Sequence, residues 1–190
     1  MGIKRKIARA QNCGRIALNE MSNCLSREGI LEFLRRDPSL IEGYLDLDEQ
    51  LQPNGFDLTL REVSMLQSTG RIGTKKELSI VSEKAPLIFE PSGFLYLIPG
   101  TYLVIFNEVV RLPANLTALG LPRSSLLRSG VAIHTAVWDA GYSGRSQALM
   151  VIYNERGFEV QQNARILQLI FLHLDRNTKG YQGSYQGENI

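Results

Sequence analysis

The sequence predicts an all-β barrel or jelly roll, on three observations. Phe56, Leu58 and Leu60 alternate with Asp57, Thr59 and Arg61, the period of two that sends successive side chains to opposite faces of a strand. Short β-rich runs then recur at 78–81, 87–89, 94–98, 101–106, 116–120, 131–136, 148–153 and 166–174. Turn formers separate them, among them Pro91-Ser92-Gly93, Pro99-Gly100 and Glu155-Arg156-Gly157. Many short strands at this spacing satisfy their edges by closing on themselves or by stacking as two sheets. One helix precedes them. Ser26-Arg27-Glu28-Gly29 opens it, Ile30, Leu31, Phe33 and Leu34 form its apolar face, and Asp37-Pro38 ends it, because a residue before proline avoids the helical conformation.

The chain divides into a basic extension at 1–21, a β domain at 22–178 and a tail at 179–190. The tail, Lys179-Gly180-Tyr181-Gln182-Gly183-Ser184-Tyr185-Gln186-Gly187, is too polar and glycine-rich to be core and reads as a mobile segment carrying two aromatics. At 190 residues the chain is long enough to bury a core. Its net charge of +2 is unevenly placed: residues 1–20 hold Lys4, Arg5, Lys6, Arg9 and Arg15 against Glu20 alone. The rest is slightly acidic, which argues against a nucleic-acid binder. The basic segment reads as a frayed extension upstream of Met21, as a helix on a partner subunit, or as a serine-free leader. No apolar run is long enough for a bilayer, so no membrane is expected. Cys13 and Cys24 have no CxxC or Cys/His spacing, which disfavours zinc and fits a reducing, cytoplasmic setting.

Two stretches carry candidate chemistry. In Pro122-Arg123-Ser124-Ser125-Leu126 the proline stops a strand, Leu126-Leu127 begins a helical turn reaching Gly130, and Arg123, Ser124, Ser125 and Arg128 offer cations and hydroxyls. Unpaired N–H groups at a helix start attract phosphate; an ordinary capped helix with solvated arginines has the same sequence. In Trp138-Asp139-Ala140-Gly141-Tyr142, Asp139 is either a plain turn former or a base that activates water. Tyr142 is a wall for a sugar or part of the core, and Trp138 is core or interface. His134 and Thr135 lie just before this turn. Asp57 opens a strand, and Gln168 interrupts the apolar run Arg165-Ile166-Leu167-Gln168-Leu169-Ile170, so it braces a neighbour or reaches a ligand.

Together these pieces resemble, in order, the five motifs of the dUTPase and dCTP deaminase superfamily. Gly55-Phe56-Asp57-Leu58 is similar to the first, Pro122–Leu126 to the second and Val137–Gly144 to the third. Arg165–Ile170 resembles the fourth and the Gly/Tyr tail the fifth, closest to the archaeal, deaminase-like branch of dUTPases. The resemblance implies a distorted jelly roll assembled as a homotrimer with active sites shared between subunits. It implies hydrolysis of a small molecule, dUTP, to dUMP and pyrophosphate with Mg2+ held through waters and phosphates, not by a protein metal cluster. Asp139 would activate the water and Asp57 join the catalytic set. Tyr142 would pack beneath the deoxyribose, and the hairpin with His134 and Thr135 would read the base. Arg123, Ser124, Ser125 and Gln168 would hold phosphates, with Arg128 and Lys179 nearby, while Tyr185 and Gln186 close over the nucleotide.

Deaminases of the superfamily carry a glutamate in a Leu-Glu-Phe-Tyr-Asn-like run. Counting back from Asn154, Val151 takes that place, and residues 146–153 hold no carboxylate. The alternatives are a dCTP deaminase or bifunctional enzyme, which Arg128 and Thr135-Ala136 match, and a non-catalytic nucleotide-binding regulator.

Overall fold

The computed structural model describes residues 24–190; the basic extension expected at 1–21 lies outside them. Helix α1 (Arg27–Leu34) starts on Ser26, whose hydroxyl accepts the Gly29 N–H, and it buries Ile30 and Phe33. It stops ahead of Pro38. Strand β1 (Ile41–Glu42), helix α2 (Leu47–Gln50) and β2 (Leu51–Gln52) lead into β3 (Gly55–Leu66). There follow β4 (Lys84–Pro86), β5 (Phe94–Leu97), β6 (Gly100–Phe106), β7 (Val109–Arg111) and β8 (Leu116–Pro122). Helix α3 (Ser124–Arg128) precedes β9 (Val131–His134), β10 (Ser143–Gly144), β11 (Gln147–Ile152), β12 (Phe158–Gln161) and β13 (Arg165–His173).

The main sheet runs β8-β13-β3-β6-β11-β9, with β2 and β4 added along β3, and its ladders are antiparallel. Its outer strands approach each other: Ala118 bridges Trp138 just past β9, and Thr135 Oγ1 donates to the Gly120 carbonyl at 3.4 Å. The sheet therefore nearly closes into a barrel, which shields the edges that an open sheet leaves unpaired. Phe56, Leu58, Leu60, Phe106, Met150, Leu167, Leu169 and Phe171 fill its buried interior. Two small sheets, β1-β7-β10 and β12-β5, complete the fold.

Three sequence expectations need correction. Residues 78–81 are not a strand: Lys76–Leu78 is a 3-10 turn, and Ile80 pairs only in a bridge with Arg71. Ile72, Leu78, Ile80 and Val81 are exposed on this arm, so their apolar character marks no core. Residues 87–89 follow β4 and do not form it; the strand lies three residues earlier, against Ser64–Leu66. Pro122 does not stop a strand but completes β8, opposite Leu167, at a sheet edge where its missing N–H breaks no ladder. In addition, β3 is buried on both faces from Gly55 to Leu60, because Gln50 and Glu108 cover the face that carries Asp57 and Thr59.

Candidate active site

The first half of the site is the turn after β9. Trp138 exchanges backbone hydrogen bonds with Ala118 (3.1 and 3.0 Å) and packs inward, with Nε1 donating to Ser146 Oγ. Asp139 is then exposed at the head of a turn closed by the Tyr142 N–H on its carbonyl, 3.0 Å. Gly141 has φ of +81°, and a Cβ there would lie 2.6 Å from Gly180 Cα. Glycine is required twice, by the turn and by the tail pressed against it. Leu112 fixes the turn from β7's side, accepting from Gly141 at 3.1 Å and donating to Tyr142 at 2.8 Å.

The tail docks on this turn of its own chain. Tyr181 N–H donates to the Ala140 carbonyl (2.7 Å), Gln186 Nε2 to the Gly141 carbonyl (3.0 Å), and Gly187 N–H to the Ser143 carbonyl (2.7 Å). The Tyr181 ring meets Tyr142 edge-on at 5.8 Å, while Tyr185 stays exposed. Tyr142 is buried and its hydroxyl donates to Glu188 Oε1 at 2.9 Å. Burial pushes the Tyr142 phenol well above the usual tyrosine value, and burial likewise raises the Glu188 carboxyl, against the opposing pull of Tyr142's hydrogen bond. Trp138, Asp139, Tyr142, Tyr185 and Glu188 line a cavity of about 260 Å3. Lys179 lines an adjoining cleft with Asp139 and Thr117.

The second half lies at the other end of β8. Arg123 occupies the cap position of α3, Leu126 anchors the helix in the core, and Ser124, Ser125 and Arg128 face solvent. The Arg123 guanidinium folds back onto the buried Asp57 carboxylate, and Arg165 reaches the same oxygen at 3.7 Å. Neither Asp57 oxygen accepts a hydrogen bond of ordinary geometry; two guanidinium charges hold it. Burial lowers the Arg123 pKa, and the like charge of Arg165 adds to that. Arg165 is held in turn by Glu49, through its carboxylate at 2.9 Å and its carbonyl. Gln168 pairs in register with Asp57 and Leu121 on one sheet face, and its amide covers Gly55, where a Cβ would lie 2.6 Å from Nε2 and 2.5 Å from the Leu169 carbonyl.

The structure thus joins Asp57, Arg123 and Gln168 at one corner, and Asp139, Tyr142, Tyr185 and Gln186 at another, with His134 and Thr135 on the hairpin between. It does not join the two corners within one chain. Asp139 lies beside Thr117, and the six residue steps from there to Arg123 span about 20 Å of strand. Sequence reasoning missed Arg165, Glu188 and the buried Glu108. Arg165 heads the fourth motif-like run, and only the register of β13 against β3 reveals that it reaches Asp57.

A model of the dCTP deaminase-like family matches residues 24–174. The chain belongs to that family. This dCTP deaminase-like chain is similar to a probable deoxyuridine 5'-triphosphate nucleotidohydrolase of Methanococcoides burtonii, 44% identical over 167 residues that cover 87% of this chain and 98% of the relative. A protein of the same name from Archaeoglobus fulgidus is 44% identical over 169 residues, covering 87% and 97%. Among solved structures, the 2'-deoxycytidine 5'-triphosphate deaminase from Agrobacterium tumefaciens shares the fold, with a TM-score of 0.60 at 22% identity. That match covers 80% of this chain and 48% of the other. In this member of the family Val151 sits on β11, paired with Thr101 and Ala132, and Glu155 lies beyond the strand in a turn.

Proposed function

We propose that the chain is a dUTP diphosphatase, hydrolysing dUTP to dUMP and pyrophosphate. The observation that carries this reading is Asp139: an exposed carboxylate on the rim of a cavity walled by Trp138 and Tyr142, in a chain with valine at the deaminase glutamate position. The names of the relatives agree with it. A water beside Asp139 gives its proton to the carboxylate as its oxygen bonds the α-phosphorus. The bond from that phosphorus to the bridging oxygen breaks, and pyrophosphate leaves with the electron pair.

Tyr142 packs beneath the deoxyribose, and the backbone around Ile133–Val137, next to His134 and Thr135, reads the base. Arg123, Ser124, Ser125 and Gln168 hold the phosphates, with Arg128 and Lys179 adding charge. Asp57 acts through Arg123, since its carboxylate is sealed from water beneath that guanidinium. The two corners lie about 20 Å apart along β8, so a complete site takes Asp139 from one copy and Arg123 from another, as in a homotrimer. Tyr185 and Gln186 close over the bound nucleotide and exclude water. Mg2+ suits a site of this donor chemistry: brought by the nucleotide that Arg123, Ser124, Ser125 and Gln168 would hold, it would draw off charge developing on the leaving group.

The test is product analysis with Mg2+ and dUTP, dCTP, dTTP or UTP supplied separately. The expected result is conversion of dUTP alone, with Asp139→Asn losing roughly 10²–10⁴-fold in rate while still binding nucleotide. Near-normal turnover by that variant, or ammonia released from dCTP, overturns the reading.

A further inference from the structure

Strands β3 and β6 pair from Leu60 to Met65, but β6 ends at Phe106 and the two part beyond Leu60. The Thr59 carbonyl still accepts the Asn107 N–H at 2.9 Å, but the Thr59 N–H and the Asp57 carbonyl face a gap where the next strand residues belong, and buried peptide groups do not stay unpaired. Side chains take the strand's place. Glu108 Oε2 accepts the Thr59 N–H at 2.9 Å, and Gln50 Nε2 donates to the Asp57 carbonyl at 2.8 Å. The same Gln50 amide donates to Glu108 Oε1 at 2.8 Å, and Thr59 Oγ1 donates there at 2.6 Å. Gln50 Oε1 accepts from Leu45 and Asp46, so every hydrogen-bonding position of this amide is used. Gln50, Thr59 and Glu108 are all buried.

This cluster adjoins the phosphate corner by two routes. Gln50 holds the carbonyl of Asp57, whose side chain grips Arg123. Its neighbour Glu49 grips Arg165, the second cation on Asp57. We propose that Glu108 is a positioning residue: by replacing a missing strand through Thr59 and Gln50, it fixes the Asp57 backbone and the end of α2, and so aims Arg123 at the polyphosphate. The inference rests on the phosphate role proposed for Arg123.

Glu108→Gln tests it with a change of one atom. Whichever way the new amide turns, its NH2 faces either the Thr59 N–H or the Gln50 amide donor. Relieving the clash by turning Gln50 sets an oxygen against the Asp57 carbonyl. In the full chain, Glu108→Gln is expected to weaken binding of α,β-imido-dUTP about tenfold and to leave dUMP affinity within about twofold. Thr59→Val, which removes only the hydroxyl and keeps the β-branched shape, gives a smaller loss of the same selectivity; Thr59→Ser restores it. A merely structural role lowers the melting temperature and leaves the ratio of the two affinities unchanged, which overturns the proposal. Arg123→Ala separates the two claims. Unimpaired triphosphate affinity in that variant defeats the phosphate reading and the inference with it. A loss there, with none in Glu108→Gln or Thr59→Val, defeats the inference alone.

Discussion

Replacing Asp57 by asparagine removes the negative centre of the corner that holds Arg123 and Arg165 without changing its size. The Asp57 side chain is 1% exposed, whereas those of Arg123 and Arg165 are 29% and 31% exposed. Breaking a buried ion pair by removing one member costs about 3–5 kcal/mol. Here the surviving cations are a third solvated, so water recovers part of their stabilisation and about 2–3 kcal/mol remains. For a domain of this size that lowers the melting temperature by about 4–12 °C. Denaturant unfolding of Asp57→Asn, Arg123→Met and the double variant, at one fixed protein concentration, measures the coupling directly. The double variant is expected to be more stable than the sum of the single losses by at least about 1 kcal/mol. Additivity within about 0.5 kcal/mol, the behaviour of independent sites, would falsify the claim that Asp57 holds Arg123.

Two further outcomes follow from the geometry. Gly55→Ala places a Cβ 2.5 Å from the Leu169 carbonyl, which belongs to a ladder and cannot retreat; overpacking of this kind costs about 1–3 kcal/mol, read as a lower unfolding midpoint with the slope unchanged. Burial raises the Glu188 carboxyl in the docked tail, so docking favours its protonated form: the contribution is complete below the ordinary glutamate value and is lost as pH rises through the raised one. Trp138, the chain's single tryptophan, lines the same cavity, so its fluorescence should show a step above about pH 4.3 that is missing in Glu188→Gln; a step of equal size in that variant rules out Glu188 as its source.

How much of this was legible in the sequence depends on what carried the information. The helix cap at Ser26, the alternation that became β3 and the apolar runs of β6, β11 and β13 are local patterns, and each lies where the sequence places it within a residue or two. The strands β1, β2, β7 and β10 hold two or three residues, too few for any period, and exist because neighbours pair with them. The exposed arm around Ile72 and Val81 misled for the opposite reason, being apolar without burial. At the site, the residue types of Asp139, Arg123 and Gln168 were readable, but their partners were not. Glu108 lies 49 positions from Thr59, and no spacing rule links a carboxylate to a gap in a strand it does not belong to. The tail's composition suggested mobility; the match of Gly141 to Gly180 that seats it is a tertiary fact.

Strand β8 also acts as a ruler. It begins beside the turn that carries Asp139 and ends at the cap that carries Arg123, so its length sets the offset between the two corners. An insertion of two residues would preserve the alternation of faces yet shift one corner by about 7 Å relative to the other. An insertion of one would also turn the exposed Leu119 and Leu121 toward the interior and the buried Leu116 and Ala118 outward. On the proposed function, the number of residues in β8 therefore matters more than which ones they are, because the separation of Asp139 and Arg123 depends on it.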